Sequence, residues 1–170
     1  MNILPRAIRR PGARVPAWLV GLVLALAAPA LLAAEKKPDE QKVAVTILGI
    51  HATNEKKPHV DPALKAITEQ LKQYKFNCFR VVAKETRPVP LGKAWELALV
   101  EDYARRVTPK EITKDRIKME IAWIQYVKDK DGKRKPHVRD RMVMSIGKGK
   151  YLLAGVKLKE GALIGAVAVE

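Results

Sequence analysis

The sequence predicts a mainly β fold with one early α-helix: an antiparallel β-sandwich or open barrel of seven to eight strands. Three observations carry this expectation. Beyond residue 42, apolar residues recur at alternate positions or in short continuous runs. Turn signals rich in Gly, Pro, Asp and Lys separate these runs at intervals of roughly ten residues. Helical three-and-four spacing is clear in one place, residues 62–75.

Taken in order, the chain opens with a leader. Arg6, Arg9, Arg10 and Arg14 form a basic start without acidic residues, and residues 17–32 (AWLVGLVLALAAPALL) carry no charge. Ala33 and Ala34 follow, just before Glu35. This basic, apolar, small order is that of a secretory signal peptide. Cleavage is expected after Ala34, or alternatively after Ala30 within Ala28-Pro29-Ala30. Arg9-Arg10 is followed by Pro11-Gly12 instead of an apolar pair, which argues against a twin-arginine signal. An uncleaved membrane anchor is the alternative, although the apolar run is short against the roughly 20 residues a spanning helix needs. The predicted address is periplasmic or secreted.

Residues 35–42 (EKKPDEQK) are too polar to bury and read as a flexible tether. The single domain is expected over 43–170. Residues 43–50 (VAVTILGI) form a continuous apolar run, the mark of a strand buried on both faces. A polar loop follows at 54–59. Asp61-Pro62 then opens the helix: the Asp side chain can cap free N–H groups, and Pro suits the first helical position because it has none to lose. Leu64, Ile67, Leu71 and Tyr74 place one apolar stripe on a helix over 62–75.

Strand candidates then succeed one another. FNCFRVVA (76–83) is one. RPVPLG (87–92) is an edge strand or extended linker, since Pro88 and Pro90 cannot donate to a ladder. Residues 93–100 fit helix or strand, and the alternation of Trp95, Leu97 and Leu99 favours strand. A turn at Glu101-Asp102 leads to a strand at 103–109 and a polar connection at 110–115. Residues 116–127 form the clearest strand, with Ile117, Met119, Ile121 and Trp123 on one face. Residues 128–133 turn the chain, with Asp131-Gly132 as the hairpin signal. Strands at 135–146, 151–156 and 162–169 follow, joined by a hairpin loop at 147–150 and a turn at 159–161. The two continuously apolar strands, 43–50 and 162–169, are expected to be central neighbours.

Charge and composition bound the function. The leader holds four of the 33 basic residues and none of the 18 acidic ones, which leaves 29 against 18 and a charge of +11 on the remaining 136 residues. Such a balance favours anionic partners, lipid headgroups or acidic glycans; export makes nucleic acid an unlikely one. Cys78 is the only cysteine, so no internal disulfide exists and burial alone must hold the fold.

Chemical motifs are sparse. His51, His59 and His137 lack metal-ligand spacing. Asp129-Lys130-Asp131-Gly132 would fall in a calcium loop whose first and last positions are Val127 and Val138, which cannot ligate. Gly147-Lys148-Gly149-Lys150 lacks the spacing and the following helix of a phosphate loop. Ser145 is the only serine and has no activating context. Glu96, Glu101 and Asp102 are the nearest carboxylate cluster for glycoside cleavage and read as part of a turn. No catalytic residue, cofactor site or metal site is predicted.

The surface feature with most character is the basic hairpin. Lys128, Lys130, Lys133, Arg134, Lys135, Arg139 and Arg141 are candidate contacts for an anionic lipid or glycan. The 87–92 edge is a candidate for pairing with another envelope protein.

The succession of leader, tether, Asp61-Pro62 helix with Leu64 and Leu71, Phe76 and Phe79, the Trp95 strand and the closing GVKLKEGALIGAVAV resembles small exported bacterial β-rich envelope proteins of uncharacterised function. The resemblance implies an envelope address and no particular activity. The expected function is a non-enzymatic binding or interaction module. The alternatives are an enzyme acting on an acidic envelope polymer and a membrane-tethered structural subunit.

Overall fold

Two β-sheets enclose a shared apolar core in the computed structural model, which describes residues 41–170. The leader and all of the tether but its last two residues lie outside the described residues. The strands are β1 (Lys42–Thr53), β2 (His59–Val60), β3 (Cys78–Pro90), β4 (Trp95–Ala98), β5 (Tyr103–Ile112), β6 (Arg116–Lys128), β7 (Arg134–Gly147), β8 (Tyr151–Lys157) and β9 (Ala162–Val169). The first sheet has the order β2-β3-β1-β9-β8 and the second β4-β5-β6-β7. All pairings are antiparallel except β2 with β3.

β1 and β9 are adjacent near the middle of the first sheet, with Val45 opposite Val169 and Ala52 opposite Ala162. Their continuous apolar runs follow from what covers the two faces. Val45, Ile47, Val167 and Val169 point into the core shared with Val107, Ile117, Met119 and Ile121 of the second sheet. Leu48, Ile50, Ile164 and Ala166 point the other way, against Leu64, Ile67 and Leu71. Fully burying each such aliphatic side chain contributes about 1.5–3 kcal/mol, so the fold closes without a covalent brace.

The helical segment is shorter and tighter than the periodicity predicts. Pro62–Ile67 is a 3-10 helix and only Thr68–Leu71 (α1) is α-helical. The side-chain spacing gives the reason. Leu64 and Ile67 are three residues apart and eclipse on a 3-10 turn, whereas Ile67 and Leu71 are four apart, as an α-turn requires. Asp61 caps the start, its Oδ1 accepting from the Ala63 N–H at 2.9 Å. Tyr74 and Phe76 then pack on the outer side of the first sheet.

The other departures lie mostly in strand lengths. The candidates 76–83 and 87–92 are one strand, β3. Ala44 and Pro88 face each other in the ladder, and the Ala44 carbonyl accepts from Glu170 on the β9 side. In an antiparallel pair both polar groups of such a residue point away from the partner, and so do those of Pro88. Pro88 and Pro90 therefore direct their missing N–H groups at the free edge, where no ladder bond is lost. The 93–100 segment is strand, as expected, but only over Trp95–Ala98. β5 runs on to Ile112 past a bulge at Pro109/Glu111, so the polar connection shrinks. His59, expected as the end of a loop, pairs with Cys78, and Val60 pairs with Phe79. Strands therefore number nine among the described residues, not seven or eight. Gly147–Lys150 is not a hairpin loop: it carries the chain from the edge of one sheet to the edge of the other.

The two sheets also match by volume. Ala83, Gly49, Gly165 and Ala154 form one row across β3, β1, β9 and β8. Bulky groups fill the space these small residues leave. A Cβ on Gly165 would lie 3.1 Å from Trp123 Cη2 and 3.3 Å from Arg105 Nε, and one on Gly49 would lie 2.9 Å from Leu99 Cδ2.

Candidate functional site

The β4–β5 hairpin and the start of the β6–β7 hairpin build one polar site on the outer face of the second sheet. Glu96 of β4 sits opposite Arg106 of β5, and both the Nε and Nη2 of Arg106 lie 2.8 Å from Glu96 Oε2. The Tyr126 hydroxyl donates to the other oxygen, Oε1, at 2.5 Å. Arg134 pairs with Asp102, and its guanidinium stands 5.5 Å from the centre of the Tyr126 ring. Glu96, Ala98, Glu101, Asp102, Tyr103, Tyr126 and Arg134 line a cavity of about 440 Å³. Glu101, at φ 54°, makes the tight turn that folds β4 back on β5.

This geometry determines what the acids can do. The three carboxylates of the sequence cluster do converge on one cavity, but two are tied in ion pairs. Glu96 has both oxygens engaged, and its hydrogen bond is the main cause of a Tyr126 phenol pKa above the ordinary value. A carboxylate fixed as an acceptor for Arg and Tyr is not poised to donate a proton to a glycosidic oxygen. Farther along the same face, Glu120 receives Lys110 at 3.0 Å and Arg141 at 3.5 Å. The Lys110 hydrogen bond is the leading cause holding its carboxyl below the usual pKa.

The seven basic residues all lie on the β6–β7 hairpin, yet they are not equivalent. Arg134 and Arg141 are paired as described, Lys135 lies 3.0 Å from Asp129 and Arg139 donates to Gln125 at 3.0 Å. Lys128, Lys130 and Lys133, near the tip, have no acidic partner within 4.0 Å among the described residues. Asp129 organises the tip: its Oδ1 accepts from the N–H groups of Asp131 and Lys133, both at 2.9 Å. Lys135 foremost, with these N–H groups, lowers the Asp129 pKa. β7 is the outermost strand of its sheet and is exposed along nearly its whole length.

The other sequence candidates stay apart. His51 Nε2 donates to the Glu160 carbonyl at 3.1 Å, while His59 and His137 are exposed on separate sheets. Among the described residues no three His, Cys, Asp or Glu side chains gather to hold a metal ion. Cys78 is fully buried. Ser145 is exposed on β7.

Three contributors were not singled out from the sequence. Arg106 and Tyr126 had a readable signal in part: a hairpin centred on Glu101 places Glu96 opposite Arg106. The third is Arg105, which is 0 % exposed. It shares a strand face with Val107, and alternation makes one of two consecutive arginines point inward. Its guanidinium lies 4.4 Å from the centre of the Trp123 ring, and burial depresses its pKa to about 10. Among the described residues, Arg105 Nε, Nη1 and Nη2 and Trp123 Nε1 have no hydrogen-bond partner.

No family model matches the chain, and no curated protein or solved structure is significantly similar to it.

Proposed function

We propose that this chain is an exported, non-enzymatic β-sandwich module of the bacterial envelope that contacts an anionic surface, lipid headgroups or acidic glycan, through the tip of its β6–β7 hairpin. The carrying observation is the division of the basic residues. Four are neutralised or engaged within the fold, while Lys128, Lys130 and Lys133 remain free at a projecting turn that Asp129 holds in one shape. Each Lys near an anionic membrane contributes about 1 kcal/mol, so three give ~3 kcal/mol, or a ~100-fold gain in partitioning. The engaged state of Glu96 supports the non-enzymatic reading.

Sedimentation with phosphatidylglycerol-containing vesicles tests the proposal. Lys130→Glu with Lys133→Glu is expected to abolish co-sedimentation, and the same pair placed at Lys65 and Lys72 is expected to leave it unchanged. Equal co-sedimentation of the wild type with neutral vesicles would refute the proposal.

A second reading has its own observation. The outer edge of β7 is unpaired and carries the exposed Val138, Val143 and Met144, features that suit pairing with a strand of another envelope protein. β3 suits this less well than the sequence suggests, since Pro88 and Pro90 remove two donors from its free edge.

A further inference from the structure

We propose that the core between the two sheets holds a binding site for a carboxylate carried on an apolar chain, with Arg105 as the anchor and Tyr103 at the entrance. The inference goes beyond the surface role of the hairpin and rests on different residues.

Arg105 is fully buried and none of its three side-chain nitrogens has an acceptor among the described residues; the Nε1–H of Trp123, on whose ring it stacks, is also unmatched. Every one of these groups is a donor. A ligand that satisfies them must bring acceptors, and the two oxygens of a carboxylate match the planar fork of a guanidinium. Nothing among the described residues fills this role. Asp140 occupies the next position in the same row, but beyond Trp123 and on the exposed edge strand. Tyr74 packs on Gly155 on the outer side of the first sheet.

The walls suit an apolar tail. Trp123 belongs to a cluster with Leu158 and Leu163, against which Leu99, Val100 and Val156 pack. The way in is short. Along β5 and β6, the pair next to Arg105–Trp123 on the same face is Tyr103–Gln125. These two, with Glu101, Lys157, Leu158 and Lys159, line a surface cavity of about 340 Å³. The Tyr103 ring lines this cavity and stands perpendicular to the Trp123 ring, the centres 6.4 Å apart. On this proposal, rotation of the Tyr103 side chain opens the way from the cavity to the guanidinium. Lys157 and Lys159 at the mouth favour the approach of an anion. On this proposal an apolar tail lies against Leu158, Leu163 and Trp123 and gives a fatty-acid-like ligand an advantage over a small carboxylate.

Isothermal titration with decanoate, with acetate as the second arm, tests the site. Decanoate is expected to bind the wild type, and Arg105→Met to weaken it by at least about 30-fold, the usual consequence of removing one partner of a buried charge pair. Acetate is expected to bind far more weakly than decanoate. An absence of decanoate binding, equal affinity for the wild type and a folded Arg105→Met variant, or acetate binding as tightly as decanoate would each overturn the proposal. The wild type provides a check independent of the variant's folding: the Arg105 Nε–H resonance should shift on adding decanoate, and an unmoved resonance would also overturn it.

Discussion

Replacing Arg105 by Met should make the ligand-free protein more stable, although it deletes the most buried charge in the described chain. The magnitude follows from the site. Burial lowers the guanidinium pKa from its ordinary value to about 10, which corresponds to a penalty of ~3 kcal/mol for keeping the group charged at neutral pH. Methionine has no charge to desolvate and fills much of the same volume. The substitution also removes the stacking on Trp123, which offsets about 1–2 kcal/mol. A net gain of about 1–2 kcal/mol is therefore expected, in line with the general result that apolar replacements of buried ions are neutral or stabilising. Urea unfolding at pH 7, followed by far-ultraviolet circular dichroism, measures it as a higher midpoint at unchanged slope. The pH dependence has a definite sign. The folded state holds the proton less tightly than the unfolded chain, so the penalty is fully present below pH 10 and is relieved as the pH rises from about 10 towards the ordinary arginine value. The gap between variant and wild type should narrow in that window. A loss of more than about 1 kcal/mol at pH 7, without added ligand, would refute this account and mean that Arg105 has a stabilising partner.

Further outcomes follow from other contacts. Gly165→Ala should cost about 1–3 kcal/mol in the same urea assay, because its Cβ would press on Trp123 and Arg105 from a strand that cannot recede. Tyr126→Phe should cost about 1 kcal/mol, the value of one hydrogen bond to an ionised carboxylate at a partly exposed site. Glu120 has a lowered folded-state pKa, so its contribution is present above the unfolded value of 4.5 and is lost as the pH falls through the folded one. Glu120→Gln should accordingly flatten the acid limb of the thermal-stability profile below pH 5. Cys78, fully buried beneath the fold, should react with a thiol reagent only when denaturant unfolds the chain; prompt labelling of the native protein would contradict that packing.

Much of the fold was written in local pattern. The unbroken apolar runs of β1 and β9 announced strands covered on both faces, and their pairing near the middle of one sheet follows from the same need for cover. Alternation along β6 gave its inward face, and Asp61-Pro62 gave the start of the helical segment. The helix length was less legible, because a three-four-three spacing fits one α-helix and also a 3-10 turn followed by an α-turn. Only packing against Ile50, Phe79 and Ile164 chose between them.

The candidate sites divide in the same way. Residue type and order along the chain determined that the β6–β7 hairpin would be basic and that it would turn at Asp129–Lys133. The tertiary structure decided which of its cations are free, since the partners of Arg134 and Arg141 come from distant segments, Asp102 and Glu120. It also decided that Arg105 would be enclosed without an acceptor. Alternation can send a side chain inward, but the residues waiting there, Trp123 opposite and Gly165 across the core, are set by strand register and sheet stacking. Those are relations between segments far apart in the chain, and a local pattern does not contain them.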